Sequence, residues 1–412
     1  MRKPVLTIFY QFNPWHPTIG GIQTVIRYFI KYAASEFALR LVGTSDRANP
    51  FTGSWQEAEL DGKEIKFFPL FTLKNDNYRS LVPTTIKYTA ALYRRNLASD
   101  FMHFHRIEPT IATLRWYGDK TLFIHNDIQK QMTAKDNKNA ILWRHFPAGY
   151  FALERLLLDQ FTQVLSCNTE SVKLYQQRYP HLTERIKYLK NPVDNELFYP
   201  LTREKRDRGR QSLALQLGLS DDTRFVLFAG RLHPQKDPLL LVRAIAALKQ
   251  QNVHLLIAGE GELAAEVQAE ISHLGLVKKV TMLGAIAPAK LAQLQQICSV
   301  FVLTSAYEGL PMVVLEALAC GTPVATTECG ETPKLLSADS GIVCRDRTPT
   351  AIADAISRVI LHPEEYPVES CVRTAAPYGV RNIISSVYSE MWRRWEQRNS
   401  SLSSMPTNYV QV

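Results

Sequence analysis

The chain has 412 residues, of which 46% are hydrophobic and 21% charged, and a formal net charge of +9 at neutral pH. This length predicts two domains rather than one, at roughly 100 to 200 residues each, with the composition of a soluble globular protein. It excludes a membrane-spanning chain, because nowhere do about 18 uncharged apolar residues run together. The excess charge is unevenly placed: residues 1–195 hold 26 Lys and Arg against 17 Asp and Glu, while residues 196–412 hold 22 of each. A basic first half predicts attraction to a phosphorylated substrate or acidic lipid, with an ordinary solvated surface as the alternative. Nucleic acid is not expected, since no dense basic run with stacking aromatics occurs. Six cysteines (Cys167, Cys298, Cys320, Cys329, Cys344, Cys371) form no C-x-x-C pair, which predicts reduced core thiols in a cytoplasm. Strand-like VLTIFYQF follows Met1-Arg-Lys directly, too short for a signal peptide, so the expected location is the cytoplasm with peripheral contact at the inner face of the membrane.

In chain order, Val5 to Phe12 reads as a buried strand. Gly20 and Gly21 then open a helix with Ile22, Val25, Ile26, Phe29 and Ile30 facing inward, so strand, glycine loop and helix follow one another where backbone can approach a ligand. Strand-like runs recur at Phe37 to Gly43, Ile65 to Leu70, Asp100 to Phe104, Thr121 to His125, Thr162 to Asn168 and Ile186 to Lys190. Alternation of this kind predicts a doubly wound parallel sheet. Thr84 to Leu97 is a basic helix candidate with Ile86, Tyr88, Leu92 and Tyr93 among its apolar residues; such a segment rests on a membrane surface or lays its stripe on the core. His125 ends a strand at the carboxyl edge of the sheet, where ligands bind, although a lone histidine is often structural.

Asn191-Pro-Val-Asp is a turn, and the charge-dense LTREKRDRGRQ after it reads as a linker or exposed helix start. The alternation then restarts. Strands are predicted at Phe225 to Ala229, Val253 to Ala258, Val280 to Leu283, Val300 to Thr304 and Pro323 to Thr326. Helices are predicted at Pro238 to Gln250, Glu262 to Leu274, Pro288 to Ile297, near Pro333, over Ala351 to Leu361 and over Arg381 to Trp395. A polar tail from Asn399 is expected to be disordered. The fold class is therefore α/β, two doubly wound Rossmann-like domains. The expected divisions are 1–195 for acceptor binding, 196–378 for a donor, a helix over 379–398 and a tail over 399–412.

Two stretches carry chemistry. In FAGRLHPQKDP, Gly230, Arg231 and Lys236 share a loop after a strand, and two cations with a glycine turn can grip a diphosphate. In SAYEGLPMVVLEALACGTPVATT, Glu308 precedes a helix that Pro311 opens at its first position, Glu316 lies inside that helix, and Gly309 and Leu310 offer backbone N–H groups at its start. The topology brings both stretches to one edge. Gly259-x-Gly261-x-x-Ala264 matches a dinucleotide fingerprint, but it follows the second strand of its unit and no acid ends the next strand, so a dehydrogenase is rejected. No Walker loop and no Asp-x-Asp pair occurs.

Together, GRLHPQKDP, the Glu308 to Glu316 stretch, Gly20-Gly21, strand-end His125 and NPVDNELF resemble the motifs of the retaining GT-B glycosyltransferases, family 4 type (glycosyl transferases group 1), in that family's order. The resemblance implies that Arg231 and Lys236 neutralise the donor diphosphate, that Glu308 lies by the donor sugar and that Glu316 holds the ribose hydroxyls. It implies candidate catalytic residues His125, Arg231, Lys236 and Glu308, and donor-binding residues Gly20, Gly21, Gly230, Gly259, Gly261, Gly309, Leu310 and Glu316. It further implies a nucleotide-sugar donor with no cofactor or metal, a glycan or lipid-linked acceptor, retention of configuration, and a last helix that crosses back to the first domain. One departure stands out: where the family commonly has Gly-Gly-x-x-Glu, this chain has Gly330-Glu331-Thr332-Pro333-Lys334, which keeps open a non-catalytic nucleotide-sugar-binding protein of the same fold. An epimerase or phosphorylase on the same fold is the nearer rival among enzymes. The loop Lys130 to His145 is expected to face the acceptor.

Overall fold

The computed structural model describes residues 2–18, 20–73, 82–125, 147–249 and 252–403. The first sheet contains β1 (Val5–Phe9), β2 (Ala38–Ser45), β3 (Gln56–Leu60), β4 (Lys63–Thr72), β5 (Phe101–Phe104), β6 (Asp119–Ile124), β7 (Gln163–Ser166) and β8 (Ile186–Tyr188), in the order β3-β4-β2-β1-β5-β6-β7-β8. All its pairs are parallel except β3 with β4, a hairpin whose Asp61-Gly62 corner has positive φ at both residues. The second sheet contains β9 (Arg224–Ala229), β10 (Val253–Ala258), β11 (Val280–Gly284), β12 (Val300–Leu303), β13 (Val324–Thr327) and β14 (Gly341–Cys344). It is wholly parallel, in the order β11-β10-β9-β12-β13-β14.

Parallel strands covered by helices on both faces must be apolar on both faces, and β9 meets this requirement. Val226 and Phe228 enter one core while Phe225, Leu227 and Ala229 enter the other. Strand order reverses at β1 in the first sheet and at β9 in the second. Ligand crevices open outside the carboxyl ends of strands at such reversals. The Gly20 loop follows β1 and the Gly230 to Asp237 loop follows β9, so both candidate loops stand at these positions.

The chain passes between the units twice at one place. Val193 N–H donates to the Tyr378 carbonyl at 2.8 Å and Val380 N–H to the Val193 carbonyl at 2.9 Å. From there the Val380–Ser403 helix returns to the first unit, where Ile384, Tyr388, Met391 and Trp395 pack with Phe29, Phe37 and Phe101. The Tyr388 hydroxyl donates to the Phe29 carbonyl at 2.7 Å, and Arg394 and Arg398 reach the buried Asp119 carboxylate at 2.7 and 2.9 Å. The expected return of this helix is thus observed.

Several local expectations change. The segment read as a linker or exposed helix start is the Arg203–Gln216 helix of the second unit, N-capped by Thr202, so the helix reading is the one that holds. Its Arg206 guanidinium donates to the Gly321 and Cys298 carbonyls and the Thr322 hydroxyl, an internal anchor hidden in a charge-rich run. The basic helix ends at Tyr93, with Tyr88 and Leu92 in the core and Ile86 and Tyr93 exposed. Pro311 takes the N-cap position, and the Met312–Ala319 helix starts one residue later than expected. The last helix runs through 399–403, part of the expected tail, while 404–412, Gln250 and the Lys130 to His145 loop lie outside the described residues.

Candidate active site

The two chemistry-bearing loops are braced against each other before any ligand is considered. Ala306 N–H donates to the Gln235 carbonyl at 2.8 Å, and the Gln235 side chain donates to the Tyr307 carbonyl at 3.0 Å. At the end of β12 the Thr304 hydroxyl lies 2.8 and 2.9 Å from the Lys236 and Asp237 carbonyls. Asp237, in the left-handed region at φ 47°, caps the Pro238–Ala247 helix and accepts from Arg347 at 2.7 Å. Beneath the first loop, Gly259 and Gly261 meet the backbone of Gly230 and Leu232 so closely that a Cβ at either would overlap a carbonyl oxygen. The two glycines of the rejected fingerprint therefore support the loop that carries Arg231. Gln235, Thr304 and Arg347 were not visible in the sequence reading, because their roles depend on contacts with residues far along the chain.

Lys236 and Glu308 meet directly, Nζ to Oε1 at 2.5 Å, with both side chains mostly buried. Arg231 is exposed on the same loop and has no ion pair among the described residues. A mobile ammonium, a guanidinium and a carboxylate thus stand at the β9 reversal. This arrangement can receive an anion and orient hydroxyl groups beside it.

The Glu308 turn is pressed against the first unit. A Cβ built on Gly309 would stand 2.3 Å from the His125 carbonyl oxygen and 2.9 Å from Cys167 Sγ, at the ends of β6 and β7. Leu310 is buried, and its carbonyl accepts from Asn191 at 2.6 Å. Gly330, at φ 58°, fits behind this turn: its own Cβ would come 2.1 Å from the Gly309 carbonyl oxygen, and the next N–H, of Glu331, donates to that oxygen at 2.9 Å.

The departure at Glu331 and Lys334 has a definite place here. The Glu331 carboxylate accepts from Thr169 N–H at 2.6 Å and the Thr169 hydroxyl at 2.8 Å, at the N-terminus of the Thr169–Arg178 helix in the first unit. An anion is favoured there by the unpaired N–H groups and the helix dipole. Lys334 donates to the Thr169 hydroxyl at 2.7 Å and to Glu170 at 2.6 Å. Both substituted residues therefore tie the second unit to the first.

Glu316 is buried on the Met312–Ala319 helix, and its Oε2 finds no partner among the described residues. Burial pushes its carboxyl up to about 8. Tyr28, on the Gly21–Lys31 helix of the first unit, is held protonated first by burial and then by a charge on Glu316. A buried carboxyl of this kind suits a ligand that brings hydroxyl groups to it. In the first unit, Gly20 precedes the Gly21–Lys31 helix as its N-cap, and its carbonyl accepts from the Thr24 N–H and hydroxyl. His125 stands half-buried past the end of β6, bonded to His105 at 2.8 Å, and burial followed by the charge of Arg106 lowers it to about 4. It is a neutral imidazole at physiological pH. Among the described residues no three His, Cys, Asp or Glu side chains gather as a metal-binding group.

Residues 210–371 match the family Glycosyl transferases group 1. The chain is 32% identical over 180 residues to an uncharacterised glycosyltransferase of Methanocaldococcus jannaschii, covering 43% of this chain and 45% of that protein. It is 28% identical over 217 residues to the D-inositol 3-phosphate glycosyltransferase of Corynebacterium glutamicum, covering 50% and 51%. These alignments span about half the length of those relatives. A longer one joins 75% of the chain to 78% of the N-acetylgalactosamine-N,N'-diacetylbacillosaminyl-diphospho-undecaprenol 4-alpha-N-acetylgalactosaminyltransferase of Campylobacter jejuni, at 24% identity. The architecture is GT-B. It is shared with sucrose-phosphate synthase of Thermosynechococcus elongatus (TM-score 0.71, 17% identity, 97% of this chain and 99% of that one) and with WaaG, a glycosyltransferase involved in lipopolysaccharide biosynthesis (TM-score 0.70, 16%, 94% and 99%). Anabaena HepE, solved with UDP and glucose, has the same fold (TM-score 0.65, 17%, 97% and 99%).

The state of Glu316 yields a stability prediction. A carboxyl whose folded pKa is raised from 4.5 to about 8 favours the folded state below about pH 4.5, and that contribution is lost as pH rises towards and through 8. Melting temperatures recorded from about pH 5 to 8.5 should therefore fall more steeply for the wild type than for Glu316→Gln. Parallel curves would contradict this ionisation state.

Proposed function

We propose that the chain is a glycosyltransferase that moves a sugar from a nucleoside diphosphate sugar to a glycan or lipid-linked acceptor, in cell-surface polysaccharide or glycolipid synthesis. The observation that carries this reading is the Lys236–Glu308 pair at the β9 reversal, with Arg231 open on the same loop, inside the segment that matches the family. A diphosphate entering there draws Lys236 from Glu308 and adds Arg231. The released Glu308 carboxylate is then free for the sugar hydroxyls, while Glu316 meets the ribose.

Departure of the nucleoside diphosphate leaves an oxocarbenium-like sugar and concentrates negative charge on the leaving oxygens. Cations already placed at that position stabilise the charge as it develops, so the proposed chemistry runs without a metal or other cofactor. The Gly309 turn and the neutral His125 lie against one another beside this site. Retention of configuration is proposed from the family resemblance, and the basic first unit is assigned to the acceptor.

An exposed face of the first unit supports a location at the inner membrane surface. The Thr84–Tyr93 helix packs on the 3-10 turn Glu108–Thr113, and together with the residues after that turn they expose Ile86, Tyr93, Ile111, Leu114 and Tyr117 beside Arg94 and Arg115. Apolar side chains among cations suit an anionic bilayer.

The decisive experiment incubates the protein with a panel of nucleotide sugars and glycan or lipid-diphosphate acceptors and measures nucleoside diphosphate release with product identification. Turnover should fall by about 100-fold or more in Lys236→Ala and Glu308→Ala; variants as active as the wild type would refute the assignment. Donor binding without turnover on any acceptor would identify a non-catalytic binding protein instead. In flotation at low salt, the protein should partition to anionic vesicles over neutral ones, and the preference should shrink in an Arg94→Glu/Arg115→Glu variant. Equal partition to both vesicle types contradicts the membrane assignment.

A further inference from the structure

His103 and His105 alternate along the end of β5 and so project to the same side. Both are buried, and the core around them is aromatic. The His105 ring lies parallel to Phe123 (centroids 4.8 Å apart, 11°) and edge to edge with His125, nearly in one plane (5.1 Å, 14°), with Tyr10 edge-on at 6.0 Å. In this plane His105 Nδ1 and His125 Nε2 are 2.8 Å apart, a hydrogen bond between two imidazoles that share one proton between the bonded nitrogens. Desolvation holds both rings neutral, with the neighbouring histidine charges adding to the effect at His105.

Two neutral imidazoles can make this bond in two ways, and the far nitrogen of His105 distinguishes them. Among the described residues, His105 Nε2 is buried with no hydrogen-bond partner. If His125 donated from Nε2, His105 would have to carry its own proton on Nε2, as an orphaned N–H in an apolar pocket. Buried orphaned N–H groups are rarer in native proteins than buried acceptors with spare lone pairs. The alternative places the His105 proton on Nδ1, where it is donated to His125, and leaves only a lone pair at the buried Nε2. His125 must then carry its own proton on Nδ1.

We propose that His105 is a positioning residue that fixes His125 as its Nδ1–H tautomer, so that at the cleft His125 offers a hydrogen-bond donor to a ligand hydroxyl or carbonyl oxygen and no basic nitrogen. The hydroxyl-bearing ligand rests on the nucleotide-sugar reading; the tautomer itself does not. His125 would accordingly orient the ligand and would not remove a proton from it, and the discrimination at this point is for an oxygen acceptor on the sugar.

The test combines spectroscopy with kinetics on the full chain. Long-range nitrogen–proton correlation spectra of histidine-labelled protein, with His125 assigned through His125→Gln, should show His125 protonated at Nδ1 in the ligand-free wild type. His105→Phe should remove that tautomer preference. His105→Asn should keep it, because the Asn amide nitrogen occupies the position of imidazole Nδ1. With an active nucleotide sugar, His105→Phe should lose about tenfold in kcat, and His105→Asn should stay within about threefold of wild type. An Nε2-protonated His125 in the wild type overturns the proposal, as do equal losses in the Phe and Asn variants. If His105→Phe fails to fold, the wild-type and Asn spectra still decide. If no nucleotide sugar is turned over, the functional reading fails while the tautomer remains measurable.

Discussion

The contact on which the site depends is made by a glycine with no room for a side chain. Gly309 lies against the His125 carbonyl at the end of β6, and Gly330 lies against Gly309 from behind. Three backbones are stacked: a strand end of the first unit, the Glu308 turn, and the loop that carries Glu331. Glu331 then continues across to Thr169, again in the first unit. Every group assigned to the donor sugar is therefore held by both units, and any displacement between them moves Glu308 and His125 apart. The exposed charge on Arg231 and the interlocked turn beside it differ sharply in exposure, as suits a site in which one part captures a ligand and another orients it.

Charge placement follows the same division. Lys236 and Glu308 satisfy each other, which limits the cost of holding two ions in a largely buried position. Glu316 has no such partner among the described residues and is pushed towards its neutral form. Asp119, buried at the far end of the first sheet, is matched by Arg394 and Arg398 and so fastens the return helix. The pairs at Asp119 build the fold, whereas the pair at the β9 reversal is the one proposed to be exchanged for a ligand.

The alternation of strands and helices was legible because parallel strands buried on both faces read as unbroken apolar runs, as in FVLFA and HLLIA. Elements that carry charge were not. The Arg203–Gln216 helix left a linker and an exposed helix start both open because its anchoring residue is an arginine, and β3 was missed because QEAEL looks polar, although Asp61-Gly62 after it is a hairpin signal. The short β14, GIVC, gave no alternation to read. At the site, residue types and their order identified Lys236 and Glu308, but nothing in the sequence says that they pair. Glu331 and Lys334 were visible as departures, and their purpose was not, because Thr169 lies 162 residues from Glu331. Likewise, His105 reads as an ordinary strand-end residue until the fold brings it into hydrogen bond with His125.

The central claim is that the Glu308 turn works only when seated on the first unit through Gly309. Steady-state kinetics of Gly309→Ala, with the best nucleotide sugar found, tests it most directly, alongside a thermal melt to establish that the fold persists. The added methyl would stand 2.3 Å from the His125 carbonyl oxygen and must push the units apart or tilt the turn. A misplacement on the order of 1 Å predicts a loss of about 100-fold or more in kcat/KM from a protein that still melts cooperatively. A Gly309→Ala protein with wild-type kcat/KM would contradict the account.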